Sequence, residues 1–327
     1  QMISAFNEAM SSNFLPSWVS CLDESMSKWL NQFTCPGFMC VPRKPWPFGN
    51  EHHTIACSES GVLYAMELVE GKDTPPERPA KPFEELGKTV GLLLRLTKSI
   101  WHTGRMVVLD SGFCVLDAIV SLRQKGVFSS ALIKKRKYWP KHIPGNDVIA
   151  HFQDKEVGTS DAWKGNHKGV DFHVYAMKEP DYTMQLMSTY GTLERMGDPK
   201  KRIVDRRKVS FFYPEVVHNH YAYRDSVDNH NCLRMDPIAL EEQWKTTRWA
   251  TRVFQFIVAV TEVNVRNSAL NIYDYEDATV LNFRRQIAKE LIHNPYIDNE
   301  RKRSPRSVGQ KRGNHSIPWS KFRNLKR

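Results

Sequence analysis

With 327 residues the chain has room for one large domain or two smaller ones, and 41% hydrophobic with 11% aromatic content is an ordinary globular balance. No run approaches the ~20 apolar residues of a membrane span; the longest candidate, Val253 to Val265, is interrupted by Gln255, Thr261, Glu262 and Asn264. The net charge of +11 is concentrated, because residues 301–327 hold ten Lys or Arg and no acid, leaving the first 300 residues at +1.

Gln1-Met2-Ile3-Ser4 lacks a basic region leading into an apolar run, so nothing reads as a secretory signal. A chain that opens on Gln and enters a helical pattern at once reads as a piece of something longer. A short helix is expected from Ile3 to Phe14, ended before Pro16. The apolar-alternating run Trp18 to Leu22 predicts a strand leading to Asp23. Residues 29–50 read as loop, broken by Pro36, Pro42, Pro45, Pro47 and Gly49. Thr54 to Cys57 and Val62 to Leu68 are β-type runs joined by Ser58-Glu59-Ser60-Gly61, a hairpin signal. After the Pro-rich connection Gly71 to Pro82, Phe83, Leu86, Val90, Leu93 and Leu94 recur at helical spacing up to about Lys98.

Met106 to Leu109 is a second short apolar strand, closed by Asp110 and the turn Ser111-Gly112. Val115, Leu116, Ile119 and Val120 mark a helix, and Val127 to Ile133 another strand. About 80 residues with β character follow, notably Phe172 to Met177 and Thr183 to Thr189. Pro214 to His230 reads as a helix with Asp225 and Asp228 at i and i+3 on one face. A long helical pattern runs from Ile238 to Tyr273, and a last helix from about Asp277 to His293.

One aspartate after a strand is ordinarily a turn or cap residue. Three in the order acidic strand, hairpin, helix, acidic strand, helix, strand, insertion, acidic helix point further. The expected fold is α/β: an RNase H-like mixed-sheet core, a β-rich insertion before the third acidic helix, and a helical C-terminal part. Asp23, Asp110 and Asp225 are the candidate catalytic and metal-binding residues, with Asp228 as an accessory acid. Phosphodiester cleavage with two divalent ions needs hard oxygen ligands mounted on rigid elements, which strand ends and a helix face provide.

Basic residues form two clusters, Lys134-Lys135-Arg136-Lys137 and Lys200-Lys201-Arg202 with Arg206-Arg207-Lys208. Together with the basic tail they favour a polyanion partner. Trp139, beside the first cluster, is positioned in sequence to stack on an unpaired base; Trp163 either does the same or packs in a core. His218, His220 and His230 read as surface or DNA-facing, and the apolar stripe after Asp236 as packing. Cys35 and Cys40 with His52 and His53 have the donor types of a zinc site, but no CxxC pair accompanies them. The six cysteines therefore read as thiols of a reducing compartment.

Several segments resemble piggyBac-type transposases. Leu22-Asp23-Glu24-Ser25-Met26 is similar to that family's first acidic motif, and Val41-Pro42-Arg43-Lys44-Pro45 to its Pro-x-Lys-Pro segment. Val108-Leu109-Asp110-Ser111-Gly112-Phe113 resembles the second motif, and Asp225-Ser226-Val227-Asp228-Asn229 the third. Ala131 to Lys135 through Ile143-Pro144, the β segment around Trp163, and Arg248-Trp249 also fit, so the resemblance spans roughly residues 3 to 275. Two features depart from it. Ala222, Tyr223 and Arg224 stand where the family has paired glycines, and the segment from Arg301 replaces a cysteine-rich tail.

The resemblance implies a metal-dependent DNA transposase with two magnesium or manganese ions. It would nick element ends, form hairpins by transesterification and join strands at TTAA sites in double-stranded DNA. A homodimer in the nucleus is implied, with neither membrane nor small-molecule cofactor. The expected parts are a catalytic core over 1–135 and 213–297, an insertion over 136–212, and a disordered basic tail over 298–327. Arg301-Lys302-Arg303-Ser304-Pro305-Arg306 resembles a nuclear-import signal. The alternatives are a domesticated descendant that binds DNA or chromatin without cutting, and a structure-selective nuclease without strand transfer.

Overall fold

A computed structural model describes residues 1–42, 44, 46–71, 79–134, 145–204, 206–236, 238–272 and 279–294. The chain divides into two compact units, Gln1–Leu281 and Asn282–Arg327. The second is described only through the end of a helix, Val280–Ile292, and the residues just after it. The basic tail lies outside the described residues.

The first unit is built on a nine-stranded mixed sheet. Its early strands are β1 (Val19–Lys28), β2 (Phe38–Cys40), β3 (Phe48–Cys57) and β4 (Leu63–Leu68), followed by β5 (Met106–Leu109) and β6 (Phe128–Leu132). β3 pairs antiparallel with β1, β2 and β4, whereas β1, β5 and β6 run parallel to one another. The pattern accounts for this arrangement. β5 is a continuous buried run, as a parallel strand covered on both faces must be. The β3–β4 hairpin turns at Gly61, whose φ of +68° lies in the left-handed region. β3 starts earlier than its proline-rich approach suggests, because Gly49 lets it lie against β1; a Cβ there would stand 1.9 Å from the Ser27 carbonyl oxygen.

Helices α1 (Met2–Asn13), α2 (Lys88–Leu96) and α3 (Leu116–Gln124) precede the inserted segment. α2 begins five residues later than its apolar spacing suggests. Phe83 takes a left-handed φ of +63° and Glu84–Leu86 form a 3-10 turn before Gly87 caps the helix. Leu93, Leu96, Ile119 and Leu122 pack on one face of the sheet with Leu22 and Leu109.

After the short α4 (Gly145–His151) come β7 (Ser160–His167), β8 (Val170–Lys178) and β9 (Thr183–Ser188). These strands extend the central sheet, since β9 pairs antiparallel with β6 and continues to β8 and β7. β10 (Arg195–Val204) and β11 (Arg207–Pro214) form a separate two-stranded ribbon. Trp163 is half-buried against Phe152, ring centroids 6.3 Å apart, which puts it in a packing role.

The two long helical patterns near the end are each broken. The first becomes α5 (Glu215–Tyr223) and α6 (Ser226–Met235); the second becomes α7 (Leu240–Gln243) and α8 (Trp249–Asn271). Phe256 and Val260 of α8, with Val227 of α6, cover the sheet face opposite α2 and α3, against Cys21, Ala56 and Met66. Among the described residues no helix is long and apolar enough to cross a membrane.

Candidate functional site

The parallel register of β1 and β5 matches Val19 with Met106 through Leu22 with Leu109. Asp23 and Asp110 therefore stand one step past the last matched pair, at the same end of adjacent strands. Asp23 is not past the end of its strand: β1 continues to Lys28, held by its full pairing with β3. Side-chain alternation sets the direction. Leu22 and Leu109 face α2 and α3, so the aspartates that follow them face the opposite side, where α5 and α6 lie.

That helical pair is tied to β1 by a series of polar rungs. The Cys21 thiol donates to the Arg224 carbonyl at 2.8 Å, and Asn231 Nδ2 to the Glu24 carbonyl at 3.3 Å. Arg234 donates to the Met26 carbonyl at 2.7 Å and pairs with Glu241, which accepts from the Ser27 hydroxyl at 2.8 Å. Arg234 and Glu241 are both buried, and the Arg234 guanidinium lies over the Phe256 ring. The chain breaks between α5 and α6 at Arg224, so Asp225 is the N-cap residue of α6 and not a residue of a continuous helix. Asp228 follows in the first turn. Residues 222–225 all have negative φ, so this break needs no glycine and accepts Ala222, Tyr223 and Arg224.

Asp23, Asp110, Asp225 and Asp228 line one cleft of about 540 Å³, together with Glu24, Lys44, Lys134 and His220. Burial pushes the Asp23 carboxyl up to about 7, against the Glu24 backbone N–H and the Lys44 ammonium, which favour its charged form. Arg224 Nε lies 3.2 Å from Asp225, Lys134 Nζ 3.7 Å from Asp110, and Lys44 Nζ 3.7 Å from Asp228. His220 and His230 are buried, which corrects their expected exposure, and burial pushes both down to about 3. His220 is thus a neutral group beside Asp110.

The donor set fits a hard divalent ion in its chemistry: four aspartates and one glutamate, all oxygen ligands. Among the described residues no three His, Cys, Asp or Glu side chains are arranged to hold an ion. Two lysine ammoniums lie against two of the carboxylates instead.

The two basic clusters are placed differently. Of the first, only Lys134 is described; Lys135, Arg136, Lys137 and Trp139 lie outside the described residues. The second decorates the ribbon, with Lys200, Lys201 and Arg202 on β10, Arg206 in its turn at φ +66°, and Arg207 and Lys208 on β11. Lys44 entered the sequence reading only as part of the Pro-x-Lys-Pro segment, and Arg234 carried no mark at all. A lysine in a proline-rich loop and an arginine on a polar helix have ordinary surface explanations until the fold brings them against acids.

A family model described as Transposase IS4 matches residues 1–265. Among solved structures, the piggyBac transposase synaptic complex with hairpin DNA superposes with a TM-score of 0.66 at 16% identity. The match covers 93% of this chain and 57% of that one, so this chain spans little over half the length of that transposase. Endonuclease V from Ciona intestinalis, in complex with an inosine-containing DNA, aligns at 12% identity and a TM-score of 0.24 over 57% of this chain and 80% of that one. Among curated proteins, none matches.

Proposed function

Since the chain belongs to the Transposase IS4 family of DDE transposases, we propose that it cuts and rejoins DNA with the carboxylates of this cleft. The reading is a piggyBac-type cut-and-paste reaction: nicking at element ends, hairpin formation and strand transfer into TTAA sites. The observation that carries it is the register of β1 and β5, which sets Asp23 and Asp110 side by side in the cleft that Asp225, at the N-cap of α6, and Asp228, in its first turn, also line.

Asp23, Asp110 and Asp225 are the residues that would hold two magnesium or manganese ions, with Asp228 as an accessory acid. Such ions, when bound, activate a water or 3′-hydroxyl and stabilise the leaving oxygen. The protein's own part is positioning. The rungs from α6 to β1 set Asp228 over the strand that carries Asp23, and neutral His220 adds no charge beside Asp110. Lys134, with Lys135, Arg136 and Lys137 after it, would neutralise DNA phosphates near the cleft. Lys200, Lys201, Arg202, Arg206, Arg207 and Lys208 would do so along the ribbon.

In this reading residues 1–135 and 213–297 form the catalytic core, 136–212 the insertion and 298–327 a basic tail that binds DNA and directs nuclear import. The working form is a homodimer on two ends. A second reading is a transposase-derived protein that binds DNA or chromatin without cutting. The lysine ammoniums that lie against Asp110 and Asp228 favour it.

A nicking assay with magnesium on matched element ends decides between them. The first reading expects cleavage that Asp110→Asn abolishes without a change in melting temperature. Cleavage surviving in Asp110→Asn would put the chemistry elsewhere, and binding without cleavage would establish the second reading.

A further inference from the structure

Lys44 sits on the loop between β2 and β3, closed by Val41 N–H donating to the Pro47 carbonyl at 2.7 Å and Lys44 N–H to the Val41 carbonyl at 3.0 Å. The backbone at Lys44 is thus hydrogen-bonded within the loop, and its four-carbon stem carries the ammonium to the cleft. Its ammonium stands 3.7 Å from Asp228 Oδ1 and 3.4 Å from the Glu24 carbonyl oxygen. The side chain is 19% exposed, against 57% for Asp228, so most of the lysine stem is covered by the cleft wall. The same Glu24 carbonyl accepts from Asn231, so Lys44 and α6 meet on one backbone oxygen of β1. The ammonium also lies close enough to Asp23 to favour that residue's charged form.

A lysine ammonium is a compact point charge on a flexible stem. Placed among oxygen donors, it can be exchanged for another cation without moving the backbone. We propose that Lys44 is a resident counter-cation of this cleft, which holds Asp228 and competes with a divalent ion for it. The inference rests on the two-ion reading above and adds a function for a residue outside the acidic set. Its consequence is that metal loading of the DNA-free protein is held back by the protein's own charge. Two unit charges about 4 Å apart at high dielectric interact by about 1 kcal/mol, or roughly fivefold in a binding constant.

The test is manganese binding to the whole chain without DNA, followed by the paramagnetic resonance of free ion, for wild type, Lys44→Met, Lys44→Arg and Asp110→Asn. Lys44→Met should bind manganese about three- to tenfold more tightly, while Lys44→Arg stays close to wild type. Circular dichroism and melting temperature show whether each variant is folded. A purely structural lysine would give weaker binding, or none, when removed. Unchanged or weaker binding in Lys44→Met, with binding that Asp110→Asn still abolishes, would overturn the role of Lys44 and leave the two-ion reading in place. Binding that is insensitive to Asp110→Asn in every variant would overturn both.

Discussion

The cleft and the ribbon carry charge under opposite conditions. In the cleft, charges face one another at partial burial: Lys44 with Asp228, Lys134 with Asp110 and Arg224 with Asp225, with the buried Arg234–Glu241 pair behind them. On the ribbon, Lys201, Arg206, Arg207 and Lys208 are exposed and have no ion pair among the described residues. Strand alternation puts Lys201, Ile203, Lys208 and Ser210 on its outer face. Its inner face is anchored, since Arg202 reaches the Tyr213 hydroxyl at 3.0 Å and that hydroxyl donates to Glu179 at 2.9 Å. In the cleft each charge has an opposite charge within 3.2–3.7 Å, whereas solvent and salt screen the ribbon charges into independent contributions.

The largest expected effect breaks the cleft from behind. Arg234→Met leaves Glu241 buried without its partner and frees α6 from the Met26 carbonyl. Urea unfolding should show a loss of about 3–5 kcal/mol. Replacing Glu241 by Leu in the same chain should recover most of it, because the desolvated charge is then gone. A loss under 1 kcal/mol in the single variant would mean that the pair is reached by water.

A smaller effect comes from protons. Burial pushes His52, His220 and His230 down to about 3, below the ordinary histidine value of 6.5. The unfolded chain therefore binds more protons than the folded one between about pH 3 and 6.5. This stability is full above 6.5 and is lost as pH falls through that window, at ~1.4 kcal/mol per pH unit for each group. Asp23 works the other way. Raised to about 7 from 3.8, it contributes stability present at low pH that is lost as pH rises through 7. From pH 6.5 to 5 the three histidines outweigh the single aspartate, so stability should fall by up to ~3 kcal/mol per pH unit. Urea midpoints at pH 7.5, 6.5 and 5.5 check this, and a flat series would place the imidazoles in contact with solvent.

The smallest effect sharpens the other half of the comparison. Lys201→Glu with Lys208→Glu should leave unfolding within about 0.5 kcal/mol of wild type, as exposed substitutions do. The slope of log K for DNA against log salt should become shallower by ~2, as two phosphate contacts are lost. An unchanged slope would remove the outer face of the ribbon from the DNA interface.

Much of the sheet was legible from one chain, because periodicity reports which face of an element is buried. The continuous run Met106 to Leu109, the Gly61 hairpin and the apolar stripe of α3 are local patterns with local causes. The order of these elements was enough to single out Asp23 and Asp110, each beside an apolar strand. The break at Arg224 was not legible, since nothing in Ala222-Tyr223-Arg224-Asp225 forbids a continuous helix. It is the Cys21 thiol on the Arg224 carbonyl, and Ser58 on the Tyr223 carbonyl at 3.1 Å, that engage backbone oxygens at this break. The ribbon was hidden as well, because a strand rich in Lys and Arg has no apolar alternation to show.

By itself the sequence determined which residues prefer strand or helix and in what order the acids occur, since both depend on neighbours in the chain. Only the tertiary structure decided that β9 returns to β6 and carries the inserted strands into the central sheet. It also decided that His52 stacks on Phe256 at 3.9 Å and that Lys44 lies against Asp228. These are contacts between residues up to some two hundred positions apart. Their energy comes from buried ring surface and from opposite charges brought face to face, which the local chain does not encode.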